Sequence, residues 1–139
     1  MLGAAGAGAR RPVILAAEPS IFVADFARAC AFYVDDLGFR LETTYGDPPF
    51  FGLLGRDGAR LSLRLVEEPA FVVGLRERRE LLAASLTLAS RSDVDALFDE
   101  FRGRHVDVFQ APRTEPWGAR TFILRDPDGN LLLFAAPAA

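Results

Sequence analysis

The stretch that decides the fold is Pro116–Phe134, PWGARTFILRDPDGNLLLF. Ala119–Arg125 predicts a strand, Asp126-Pro127-Asp128-Gly129 a turn, and Leu131–Phe134 the returning strand. Proline pre-sets the φ that a turn's second position needs, and glycine takes positive φ without steric cost. Apolar runs on both sides of such a turn predict a β-hairpin. Trp117, the only tryptophan, stands at its start. Two readings stay open for it. One packs it at the edge of a core hairpin, as most aromatics at strand ends pack. The other leaves it as a platform on which a ligand stacks.

Upstream of the hairpin the chain reads as the same pattern written twice. Asp25 is placed to cap a helix whose apolar face is Phe26, Ala29, Cys30 and Tyr33; Asp93 is placed likewise before Val94, Leu97, Phe98 and Phe101. The apolar offsets after the two aspartates are identical, and such spacing marks one helical face. The first helix is expected to fail near Gly38. Val13-Ile14-Leu15 and Ile21-Phe22-Val23 are strand-like, with Pro19 marking an edge position or a bulge. Further strands are expected at Phe39–Tyr45, Phe50–Leu54, Arg60–Val66, Ser85–Ser90 and His105–Phe109. Asp57-Gly58 is a strong hairpin signal. Gln110–Glu115 reads as a polar loop, and Arg76-Glu77-Arg78-Arg79-Glu80 as solvated surface. Gly58 and Gly129 lie 71 residues apart and the two capping aspartates 68 apart, so both matches share nearly one offset. The period exceeds that of short solenoid repeats, and two modules of one domain is the natural reading.

The predicted class is α+β: two βαβββ modules that form a curved mixed-sheet cleft, with helices outside. Residues 1–11 read as a flexible leader and 12–139 as a single domain, with module one at 12–66, a linker at 67–82 and module two at 83–136. The 139-residue length fits one domain, and 50% hydrophobic content supports a packed core. A net charge of −3 argues against a nucleic-acid footprint. No apolar run reaches membrane-spanning length. The single cysteine, Cys30, allows no internal disulfide and fits a cytoplasmic setting; on a buried helix face it reads as structural.

Three segments together resemble the vicinal oxygen chelate superfamily, in particular its glyoxalase/bleomycin-resistance-like proteins. They are Phe32-Tyr33-Val34-Asp35-Asp36-Leu37-Gly38-Phe39, then Ser92-Asp93-Val94-Asp95-Ala96-Leu97, then Pro116-Trp117-Gly118 with Asp126-Pro127-Asp128-Gly129-Asn130. The resemblance implies two kinds of relative. Metal-dependent enzymes carry His and Glu at four strand positions, which fall within about a residue of Glu18, Ser62, Leu86 and Leu133 here. Of these only Glu18 is a donor a divalent metal would take, and the lone histidine, His105, lies outside the set. No metal, cofactor or catalytic residue is therefore expected. The metal-free relatives bind drugs as homodimers, and exchange of an N-terminal segment is expected with them.

The function read from the sequence is therefore non-catalytic binding of a small aromatic or cationic molecule, an antibiotic by resemblance, with no nucleic-acid or membrane partner. The candidate ligand residues are Trp117, Phe50, Phe51 and Phe109 as stacking surfaces, and Glu42 and Glu115 as contacts for a cation. The phenylalanines read equally well as core, and the glutamates as solvated. The alternative is a lyase or isomerase using Glu18 or Glu42 as base.

Overall fold

The repeat folds as two copies of strand, helix and three strands. A computed structural model describes residues 11–138; the expected leader, Arg11 apart, lies outside these. Module one comprises β1 (Ser20–Val23), α1 (Phe26–Ala31), β2 (Arg40–Tyr45), β3 (Phe51–Arg56) and β4 (Ala59–Leu65). A short α2 (Leu75–Arg79) follows. Module two comprises β5 (Leu82–Thr87), α3 (Arg91–Arg102), β6 (Asp107–Thr114), β7 (Arg120–Arg125) and β8 (Leu131–Ala136). Each module builds one four-stranded mixed sheet, ordered β1-β4-β3-β2 and β5-β8-β7-β6. In both, the first strand runs parallel to the last, which needs the helical crossover, and the other pairs are antiparallel hairpins.

The helices start and stop for local reasons. Asp25 accepts from Arg28 N–H at the N-cap of α1. After Ala31 the chain widens into a π-helical turn over Phe32–Asp36, closed by Leu37 N–H on the Phe32 carbonyl. For α3 the cap is Ser90, whose hydroxyl accepts from Asp93 N–H. The expected cap, Asp93, sits one turn inside, where its charge still suits the helix N-terminus.

One continuous core joins the modules. Ile21, Val23, Tyr33, Leu54 and Leu63 from the first meet Val94, Phe101, Phe122, Leu124 and Phe134 from the second. Phe122 stacks on Phe134 at 4.8 Å, and Phe101 packs edge-on against both. Full burial of each such ring stabilises the fold by roughly 1.5–3 kcal/mol.

Four expectations are corrected. Val13, Ile14 and Leu15 form no strand: they are 72%, 92% and 93% exposed, and sheet pairing begins only where the Pro19 carbonyl accepts from Ser62 N–H. The strand expected at Ser85–Ser90 runs three residues earlier, because Ser90 is needed as a cap. The polar run Gln110–Thr114 belongs to β6. It pairs with β7 through two register shifts, and its edge position tolerates Pro112. The charged run 76–80 is not wholly solvated. Arg76 is half-buried and donates to Asn130 Oδ1 and the Asp128 carbonyl, which docks α2 on the β7–β8 turn. Gly129, with φ of 85°, leaves the space: a Cβ there would meet the Arg76 guanidinium at 2.8 Å.

Candidate functional site

In module one, strand alternation gives the sheet one face packed on the core and one turned away from it, whereas β7 of module two is buried on both faces over Thr121–Leu124. In module one the core face carries Ile21, Val23, Leu54, Leu61 and Leu63. Register then fixes the open face in rows. Tyr45, Phe51, Arg64 and Phe22 form the first; Thr43, Leu53, Ser62 and Ser20 the second; Arg40, Gly55 and Arg60 the third. The first row is an aromatic strip: the Tyr45 and Phe51 rings lie 5.8 Å apart, and Phe22 lies 6.5 Å from Phe71. In module two the middle row is Gln110, Ile123, Leu133 and Ser85.

The mid-strand positions that face one another across the parallel pairs are thus Ser20 with Ser62 and Ser85 with Leu133. The Ser20 and Ser62 hydroxyls are hydrogen-bonded at 3.0 Å. Glu18 lies before β1 and is exposed, and Leu86 is partly buried against the core. Three hydroxyls and an aliphatic chain do not fit a divalent cation. Among the described residues no three His, Cys, Asp or Glu side chains are grouped to hold one.

The six candidate residues fall into two groups of three. Glu42, Phe50 and Phe51 belong to the sheet of module one. Phe51 is on the aromatic strip, and Phe50, half-exposed just before β3, lays its ring over Gly46. Glu42 lies over Gly55, where a Cβ would meet its carboxylate at 2.8 Å, and is paired with Arg60 at 3.0 Å and Arg40 at 3.5 Å. Phe109, Glu115 and Trp117 belong to module two. Phe109 is half-buried with the Arg125 guanidinium 5.2 Å from its ring. Glu115 accepts from the Thr121 hydroxyl at 2.8 Å and from Arg113 at 3.0 Å, and these bonds hold its carboxyl below the usual range. A tight turn, Gly118 N–H on the Glu115 carbonyl, displays Trp117 at its tip, 70% exposed. It does not pack at the edge of the core. Both carboxylates are already matched by arginines, so neither is a free contact for a cation. No hydrogen bond, ion pair or ring contact joins the two groups among the described residues.

Sequence reading missed the strongest polar cluster. Asp126, 3% exposed, accepts from the Tyr33 hydroxyl at 2.8 Å, from Asn130 Nδ2, and from the backbone N–H groups of Asp128 and Asn130. Asn130 Nδ2 also donates to the Phe22 carbonyl. The cluster latches the module-two turn onto the π-helical turn after α1 and onto β1. Burial, the Asp126 charge and their hydrogen bond push the Tyr33 phenol well above its ordinary value; burial raises the Asp126 carboxyl against its hydrogen bonds. The signal was present in the equal spacing of Tyr33 and Phe101 from their aspartates. The partner, 93 residues away, was not.

A cavity of about 530 Å³ lies where the β3–β4 turn meets β5 and α3, between Arg56, Leu61, Leu86 and Phe101. A second, of about 490 Å³, lies beside the β7–β8 turn. None of the six candidates lines either one. No helix among the described residues is long and apolar enough to cross a membrane.

A family model described as the Glyoxalase/Bleomycin resistance protein/Dioxygenase superfamily matches residues 14–134. No curated protein matches the chain. Solved structures do. A glyoxalase/bleomycin resistance protein/dioxygenase from Alicyclobacillus acidocaldarius is 26% identical, with 85% of this chain and 87% of that one covered and a TM-score of 0.68. The bleomycin-binding protein of bleomycin-producing Streptomyces verticillus, solved with copper(II)-bleomycin, is 24% identical over 93% and 99%, with a TM-score of 0.68. A lactoylglutathione lyase from Agrobacterium tumefaciens is 18% identical over 91% and 96%, also at 0.68. The last two show the fold alone. They include a binder and a lyase, so the fold does not choose between those functions.

Proposed function

We propose that this chain, which belongs to the Glyoxalase/Bleomycin resistance protein/Dioxygenase superfamily, binds a small planar molecule on its open sheet faces and holds it without transforming it. One observation carries the reading: the facing mid-strand positions are Ser20, Ser62, Ser85 and Leu133, which supply no acid, base or metal ligand. What the open face does supply is aromatic area, in Tyr45, Phe51 and Phe22, and an arginine between them. Stacking on rigid rings with a few polar anchors is sufficient for sequestration. The Streptomyces verticillus protein, which binds bleomycin, supports an antibiotic of that kind as the ligand. Of the two bases the lyase alternative draws on, Glu42 is committed to Arg60 and Arg40, and Glu18 is exposed ahead of β1.

The working unit proposed is a homodimer. The candidate residues divide between two sheets, and a second copy is the means of bringing a module-one face against a module-two face. The exposed apolar run Val13–Leu15 supports exchange of that segment between copies. Fluorescence titration tests the reading, because Trp117 is the only tryptophan. Saturable quenching by bleomycin or a flat aromatic antibiotic, lost in Trp117→Phe, is expected; an unchanged spectrum across such compounds would count against it.

A further inference from the structure

Every arginine in the strands but one is matched by a carboxylate. In module one Arg40 and Arg60 share Glu42 at 3.5 and 3.0 Å, and Arg56 takes Glu100 at 2.7 Å. In module two Arg113, Arg120 and Arg125 take Glu115, Asp95 and Asp107 at 3.0, 3.0 and 2.7 Å. Arg64 is the exception. It is exposed on β4, and its guanidinium forms no ion pair or hydrogen bond among the described residues. Glu42 is the only carboxylate in the four strands of module one, and it is already shared. Glu18, Glu67 and Glu68, just outside those strands, do not pair with Arg64.

The place of Arg64 is what points to a ligand. Register sets it directly beside Phe51 on β3 and Phe22 on β1, in the row that Tyr45 begins. The next row holds the Ser20 and Ser62 hydroxyls, 3.0 Å apart. One of their two protons makes that bond, and the other is free to donate. A guanidinium presents a planar fork that takes a carboxylate through two parallel hydrogen bonds. Rings on either side of it take the aromatic body of the same molecule. An exposed arginine alone is ordinary surface. One set between two rings, beside a hydroxyl donor, and lacking the carboxylate that every other strand arginine has, is a place for an anion.

We propose that the open face of module one selects planar aromatic anions, with the carboxylate of an aromatic acid on the Arg64 guanidinium and its ring against Phe51 and Phe22. The inference rests on the open-face reading and narrows it to flat ligands that carry an anionic group. It also reverses the ligand charge expected from the sequence. The chain has a net charge of −3, yet this face sets Arg40, Arg60 and Arg64 against Glu42 alone. A cation brought there meets no unmatched carboxylate, whereas an anion meets an unmatched arginine.

The test is equilibrium dialysis of sodium 2-naphthoate, and of neutral 2-naphthamide as control, against the full-length protein at pH 7 and low salt. The acid is expected to bind about fivefold more tightly than the amide, and added salt to weaken the acid alone. Arg64→Gln is expected to weaken the acid about fivefold and leave the amide unchanged, which abolishes the preference. Arg64→Lys keeps the charge without the fork and is expected to retain about half of the preference; it serves should Arg64→Gln not fold. Phe51→Leu removes a stacking ring and is expected to weaken acid and amide by the same factor. Equal binding of acid and amide, or unchanged acid binding in folded Arg64→Gln, overturns the proposal and leaves the open-face reading standing. Retention of neither compound overturns both.

Discussion

Tyr33 and Phe101 hold the same place in their modules, eight residues after Asp25 and Asp93, and meet opposite surroundings. Above Tyr33 the five-residue turn between β7 and β8 folds inward, so that Asp126 and Asn130 fill the junction with a hydrogen-bonded latch. Above Phe101 the two-residue turn between β3 and β4, with Asp57 at φ of 51°, is too short to fold inward. There a cavity of about 530 Å³ remains, and the modules are tied at its rim by Arg56, which binds Glu100 through both Nη atoms and donates to the Leu37 carbonyl. A duplicated fold has thus closed one of its two equivalent junctions with buried polar bonds and left the other open. Turn length differs between the junctions, and so does the helix, which is π-wound at Tyr33 and regular at Phe101.

The comparison breaks most sharply at Asp126. Asp126→Ala strands the Tyr33 hydroxyl and the donors of Asp128 and Asn130 in a buried site. A loss of about 3–5 kcal/mol in urea unfolding is expected; a loss below ~1 kcal/mol would mean the latch is ornamental. Tyr33→Phe, which makes the latched junction resemble the open one, removes one bond to a carboxylate and is expected to lose about 1.5–2 kcal/mol.

The same variant carries the pH signature. The folded state holds the Tyr33 proton above the phenol's ordinary range, whereas the unfolded chain releases it within that range. The folded state then binds more protons, so stability falls as pH rises past about 10. The fall should be shallower in Tyr33→Phe, measured as urea midpoints across that range. Identical slopes would show that Tyr33 does not report the latch.

The converse change, Phe101→Tyr, introduces a hydroxyl at the edge of the open junction. The cavity has room for a water to satisfy it, so a cost under about 1 kcal/mol is expected. Smallest is Arg56→Ala. Glu100 is 44% exposed and Arg56 28%, and about 0.5–1 kcal/mol is expected at low salt, less at high salt. A loss as large as that of Asp126→Ala would erase the contrast between the junctions.

Much of this was legible in the chain. The hairpin at Pro116–Phe134, both helical faces and the doubled βαβββ order follow from periodicity and turn chemistry, which act locally. Where local chemistry and pairing compete, the sequence was less legible. Val13–Leu15 looks like a strand but finds no neighbour, and Gln110–Thr114 looks like a loop but lies beside β7. The candidate site was legible in residue types more than in placement. Trp117 is displayed on a turn, but the pairing of Glu42 with Arg60 and of Glu115 with Arg113 depends on cross-strand register. The same register moves the mid-strand positions from Glu18 and Leu86 to Ser20 and Ser85. The aromatic strip of Tyr45, Phe51 and Phe22 appears only when three strands are aligned.

The most direct test of binding without reaction is equilibrium dialysis of bleomycin against the purified protein, followed by mass spectrometry of the recovered drug. Retention in the protein chamber, saturating near one drug per chain and returning the drug at its original mass, is the predicted result. A drug that is not retained, or that returns altered, would contradict it.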